Sequence, residues 1–245
     1  MLNVSYHNMT RLFTILLLFL LTHTFVSAQK KDNDNKISLR KENRNLMRKQ
    51  IKQLKEGALL VRLQNKGNSI RALNETKQFA LAKQIKINQD SYNKKIISAF
   101  RNNFNFCPIY FFFSNFSDSI LSNHFNGIIF LNDSLQLDTS IKLVNNKFLT
   151  AEFAIIEQDT SKYFSNYYYL PCEKGLEKRS AFYGGPDLRF EVLKIMSDQL
   201  VQLKRPFPYY VRTFNSLPII RRKPLKVVMR MNKKLTAYYE NNNGS

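Results

Sequence analysis

Ile109-Tyr110-Phe111-Phe112-Phe113 (IYFFF) is an almost wholly apolar run, the mark of a strand covered on both faces. Immediately before it, from Asn68 to Asn103, lies the longest periodic stretch of the chain. Ile70, Leu73, Leu81, Ile85, Tyr92, Ile96 and Phe100 fall at helical spacing there, with Lys, Asn and Gln between them. That spacing predicts one long amphipathic helix, or two broken near Asn88–Ser91. Further back, Ala58–Leu63 (ALLVRL) is a short apolar run between Gly57 and the turn-like NKGN at 65–68, and it reads as a strand. Ser38 to Glu56 predicts a basic helix with Leu39, Leu46, Met47, Ile51 and Leu54 on one side and Gly57 as its stop.

Forward of IYFFF, Ser117 or Asp118 is placed to cap a short helix running to Phe125 and closed by Gly127. Ile128–Leu131 (IIFL) and Phe148–Ile156 (FLTAEFAII) read as strands. Gln158 to Arg179 is rich in Tyr and Lys with no clear period, an excursion from the layered part. Leu188–Met196 and Leu200–Leu203 flank Ser197-Asp198-Gln199 as the arms of a hairpin. Pro224 suits the first turn of a closing helix, whose apolar stripe is Val227, Val228, Met231, Leu235 and Tyr238. A strand–helix–strand–helix–strand order followed by a hairpin predicts an α/β class: a layered mixed sheet, parallel pairs first and antiparallel strands after.

Two features of this order resemble a thioredoxin-like sheet. An apolar strand passes through Ser114-Asn115-Phe116-Ser117-Asp118 into a helix, and Pro186 precedes an apolar strand with a hairpin (LKIMSDQLVQL, 193–203). The resemblance implies a cis bond before Pro186 and a CxxC pair at the first junction. That junction holds no cysteine, so the redox chemistry does not carry over, and the likeness is one of shape without a family signature.

The N-terminus reads as an export signal. Arg11 precedes the apolar run Leu12–Leu21, and Val26-Ser27-Ala28 follows in the small-x-small pattern of a cleavage site. The run is too short to span a bilayer, which takes about 20 residues. The alternative is an uncleaved anchor completed by Thr22–Val26. The expected organisation is therefore a signal at 1–28, a basic leader and helix at 29–56, and one α/β domain at 57–245. Localisation follows from it: periplasmic or extracellular, with cleavage after Ala28.

Cleavage removes one Arg from a net charge of +20 and leaves +19. That charge sits at the two ends. Residues 29–56 hold ten Lys/Arg against four acids, and Gln199–Tyr239 holds ten Lys/Arg and no acid. The middle, 57–198, carries seventeen basic and thirteen acidic residues. A field of this sign favours anionic partners, and export moves nucleic acid down the list. The plain alternative is a solvated basic surface.

Catalytic motifs are scarce. His7 and His23 leave with the signal, so a Ser–His–Asp or Cys–His unit has only His124 to build on. Neither phosphate-cradling nor nucleophile-elbow spacing occurs, and Gly184-Gly185-Pro186-Asp187 reads as a turn. Glu152 lies inside an apolar strand with Glu157 and Asp159 following. A carboxylate there serves acid–base chemistry if its pKa is raised, or is simply paired. Cys107 and Cys172 are the only cysteines, and in an oxidising compartment an even pair predicts a disulfide, the alternative being two separate thiols.

These observations point to an exported, non-catalytic envelope protein with a basic surface and no cofactor or metal. The residues expected to meet an anionic partner are Arg205, Arg212, Arg221, Arg222, Lys223, Lys226 and Arg230. Phe207, Tyr209 and Tyr210 are the aromatic contact candidates, on a segment stiffened by two prolines in which aromatics and cations are interleaved (205–212). The partner is an anionic envelope component or a protein, with peripheral membrane contact also in view. The competing expectation is a hydrolase of a cell-surface polymer working through Glu152, Glu157 or Asp187.

Overall fold

The apolar runs become the middle of one sheet. The computed structural model describes residues 41–122, 130–156, 166–172, 175–181, 190–215 and 217–243. Along the chain come helix α1 (residues 41–56), β1 (Ala58–Leu63), helices α2 (Gly67–Glu75) and α3 (Phe79–Asn103), and β2 (Ile109–Phe113). A 3-10 turn at Ser114–Phe116 runs into α4 (Ser117–Leu121), followed by β3 (Phe130–Leu131) and β4 (Phe148–Ile155). Then come β5 (Asn166–Cys172), β6 (Gly175–Ala181), β7 (Glu191–Met196), β8 (Tyr210–Arg212), a 3-10 turn at Pro218–Ile220 and α5 (Pro224–Asn243). The chain divides into two compact units, Met1–Met47 and Arg48–Ser245. The first contributes only residues 41–47 to the described part, all helical; every described strand lies in the second.

The main sheet runs β3-β2-β1-β4-β7-β8. β1 pairs in parallel with β2 on one side and β4 on the other, and β3, β7 and β8 add on antiparallel. This is the layered mixed α/β sheet that the order of elements predicts. One face holds Ala58, Leu60, Phe112, Phe130 and Phe148, covered by Ile120 of α4. On α3, Phe100 meets Phe111 of β2 edge-on at 6.2 Å, and α3 packs along α5, which buries Val227, Val228, Met231 and Leu235. The closing helix thus begins at Pro224 and buries most of its predicted stripe. Each such side chain contributes about 1.5–3 kcal/mol on burial.

Gly57 ends α1 for a steric reason. The Ala58 N–H donates to the Lys147 carbonyl at 3.0 Å, and a Cβ at position 57 would stand 2.0 Å from that same oxygen.

Several expectations are corrected. The periodic stretch is two helices, but the break falls at Thr76–Gln78 rather than at Asn88–Ser91. Lys77 takes a left-handed conformation (φ 59°), and the Thr76 hydroxyl closes α2 on the carbonyls of Ala72 and Leu73. The short helix stops at Leu121, where Ser122 Oγ donates to the Asp118 carbonyl at 2.7 Å. The ladder partner of β7 is Tyr210–Arg212, beyond the Leu200–Leu203 arm. Residues 200–203 still turn back on the end of β7 as the hairpin reading has it: Gln202 bridges Met196, the Ser197 N–H donates to the Val201 carbonyl at 2.8 Å and the Leu203 N–H to the Ile195 carbonyl at 3.2 Å. Part of the 158–179 excursion is ordered as the antiparallel hairpin β5–β6, a sheet of its own.

The expected Cys107–Cys172 disulfide is not formed: Cys107 is a free thiol. Burial, the dominant cause, pushes that thiol up to about 12 against the pull of Lys55, so it packs as a small hydrophobe. The segment 1–28 expected to be a signal, the expected leader 29–35, His124, Glu157, Asp159, Pro186 and Asp187 lie outside the described residues, as do the side chains of β5, Cys172 among them.

Candidate functional site

The acid-free C-terminal segment is held on the sheet by its own cations. As β8 ends, the Thr213 N–H and hydroxyl both donate to the Glu191 carbonyl, at 3.1 and 2.8 Å. Phe214 then turns the chain at φ 57°, a conformation that costs a bulky side chain strain. The return is fixed by Arg222: its N–H donates to the Thr213 carbonyl at 2.8 Å, its Nη1 to the Arg212 carbonyl at 3.1 Å, and its guanidinium lies 4.4 Å from the Phe214 ring centroid. Burial and the neighbouring Arg230 hold the Arg222 pKa below its usual value, though an arginine stays charged at neutral pH.

Between this turn and α3 opens a cleft of about 1210 Å³. Its floor is Tyr92 against the edge of Phe153, ring centroids 6.3 Å apart. The Tyr92 hydroxyl donates to Glu191 Oε1 at 3.4 Å, Asn215 Nδ2 donates to Glu191 Oε2, and Arg221 Nε donates to Asn215 Oδ1 at 3.2 Å. Burial first, then the Glu191 charge, hold the Tyr92 hydroxyl well above the usual tyrosine range. It therefore stays a neutral donor. This chain uses up the Glu191 carboxylate and aims the Arg221 guanidinium from a fixed base. Lys94, Lys95 and Lys223 add three cations to the walls. They make no ion pair among the described residues. The acid on the rim, Asp90, is paired with Lys86 at 2.8 Å.

The predicted site residues divide. Arg221, Arg222 and Lys223 line the cleft, and Lys226 and Arg230 are exposed just beyond it on α5. Arg212 stacks over Phe190 at 4.1 Å, and Arg205 is exposed on the loop before β8. Phe207 is corrected as a contact candidate: it is buried and packs on Tyr238 of α5 at 5.8 Å. Tyr209 and Tyr210 are half-buried with rings 4.9 Å apart, and Lys234 donates to the Tyr210 carbonyl at 3.1 Å. Sequence reasoning missed Tyr92, Lys94, Lys95, Glu191 and Asn215. Tyr92 was visible only as a member of the helical stripe.

A second cleft, about 630 Å³, opens at the carboxyl ends of β1 and β2, lined by Arg62, Lys66, Ser69, Arg71 and Ser114 among others. Asn65 Nδ2 donates to Asn115 Oδ1 at 3.0 Å and ties the two strand ends together. Beneath it, Glu152 lies in register between Arg62 and Lys194. Arg62 Nη1 stands 2.9 Å from Oε2, and Lys194 Nζ 3.3 Å from Oε1. Both carboxylate oxygens are engaged, so Glu152 is the paired residue of the two readings given above. Among the described residues, no three His, Cys, Asp or Glu side chains gather as a metal site. No described helix is long and apolar enough to cross a membrane.

Comparison with known proteins leaves the chain on its own geometry: no family model matches the sequence, no curated protein matches it and no solved structure matches the fold.

Proposed function

We propose that this chain is an exported, non-catalytic protein that binds an anionic component of the cell envelope through the cleft between α3 and the 213–225 segment. One observation supports this above the others: Arg221 is oriented by the Tyr92–Glu191–Asn215 chain beside three lysines that have no ion-pair partner among the described residues. A guanidinium fixed in this way is pre-organised for a phosphate or carboxylate, and less side-chain entropy is lost on binding than for a free one. Export rests on Arg11, the apolar run and Val26-Ser27-Ala28.

The test is titration with inorganic polyphosphate and with isolated envelope fractions across a salt series. Arg221→Gln, Lys223→Gln and Lys94→Gln combined should weaken binding roughly tenfold and flatten the salt dependence. Arg222 is left in place because it holds the turn. Equal binding by wild type and variant at every salt concentration defeats the proposal.

A further inference from the structure

We infer that the segment Leu217–Leu225, with the outer face of α5, docks on the surface of an anionic lipid bilayer. This deepens the anion-binding reading and rests on it, since the same cations would meet lipid phosphates.

The turn before α5 displays apolar side chains outward. Ile219 is 100% exposed, Leu217 and Ile220 each 51%, and on α5 Leu225 is 45% and Met229 50% exposed. Single exposed apolar side chains are ordinary, whereas a run of them at one protruding turn marks an interaction surface. A collar of cations lies around it in sequence: Arg221 and Lys223 follow the tip, and Lys226, Arg230 and Lys233 recur on α5 at i, i+4 and i+7, all exposed. Leu225 and Met229 lie at i, i+4 on that helix. Its opposite face is committed to the core through Val227, Val228, Met231 and Leu235.

The tip is also built rather than loose. The Leu217 N–H donates to the Phe214 carbonyl at 3.0 Å and the Ile220 N–H to the Leu217 carbonyl at 3.1 Å. Pro218 and Pro224 open the two helical segments, and Arg222 ties the base to β8. Docking would therefore order little new chain.

Charge complementarity selects the occupant. A soluble polyanion has no use for an Ile held wholly in water, and a protein groove for that tip has no need of a cationic collar. A bilayer offers apolar chains beneath a plane of phosphates, and an apolar tip ringed by cations matches both layers.

The sequence has no Trp, so the I219W variant carries a single reporter at the tip. Three preparations are mixed with vesicles of phosphatidylcholine alone and of phosphatidylcholine with phosphatidylglycerol: wild type, I219W, and Ile219→Ser combined with Ile220→Ser. The expected result is sedimentation of the wild type with the phosphatidylglycerol vesicles only. I219W emission should shift to the blue on those vesicles. The double variant should lose about tenfold or more in vesicle affinity while binding polyphosphate as before. Exposure of both isoleucines means the variant folds, and an unchanged thermal transition checks it. If polyphosphate binds but neither vesicle type sediments the protein, the bilayer inference falls and the anion reading stands. If neither probe binds, both fall. Equal sedimentation of wild type and double variant, or binding to phosphatidylcholine alone, also overturns the inference.

Discussion

Arg62 reaches across the parallel β1–β4 pair and places Nη1 2.9 Å from Glu152 Oε2. Lys194 approaches the other oxygen of the same carboxylate from β7. Two cations share one buried anion, so Glu152 is the group that makes the row tolerable inside the sheet. Glu152→Gln should cost about 3 kcal/mol, the low end for a broken buried pair, because a quarter of the Arg62 side chain still meets solvent. Urea unfolding measures it; a loss below the error of the fit would mean that the row is neutralised elsewhere.

Gly57 sets a second, purely steric test. Gly57→Ala puts a methyl against the Lys147 carbonyl, and overpacking of this kind costs about 1–3 kcal/mol or more. The variant should also weaken the start of the β1–β4 ladder, read as faster amide exchange at Ala58, whose N–H donates to that carbonyl.

Cys107 should be inert in the folded protein. With its pKa pushed up to about 12 from about 9, almost no thiolate forms at pH 8, and alkylation mapped by mass should proceed only on unfolding. The sign for stability follows. The folded state keeps the proton longer than the unfolded chain, so the contribution is whole below pH about 9 and is lost as pH rises toward 12. Cys107→Ala should lessen the alkaline fall in the unfolding midpoint.

Phe207 separates core from contact. Phe207→Ala should destabilise by about 3–5 kcal/mol and leave polyphosphate affinity of the folded protein unchanged. A large drop in affinity at constant stability would return Phe207 to the binding surface.

Much of the layered sheet was legible because its signals are local. IYFFF and ALLVRL are short apolar runs, and the residues between them keep helical spacing; parallel pairing follows from that order. The closing helix was marked by Pro224. What escaped was set by tertiary context. The helix break at Thr76–Gln78 has no Gly or Pro to announce it, only Lys77 in a left-handed conformation. β8 is three residues long, too short to carry a period. The cleft was half legible, since Arg221–Lys223 stand out as a basic run. Tyr92, Lys94 and Lys95 reach it from a distant helix, and the link from Tyr92 to Asn215 through Glu191 exists only once the sheet is formed.

The position of β1 bears on how the chain acquires this shape. It precedes every other described strand, yet both of its neighbours come later: Leu59 opposes Ile109 and Leu149, 50 and 90 positions on. A polypeptide delivered from its N-terminus therefore carries its most central strand with two open edges until residue 148 and beyond arrives. Such long-range closure is slow, and an unsatisfied edge invites mispairing.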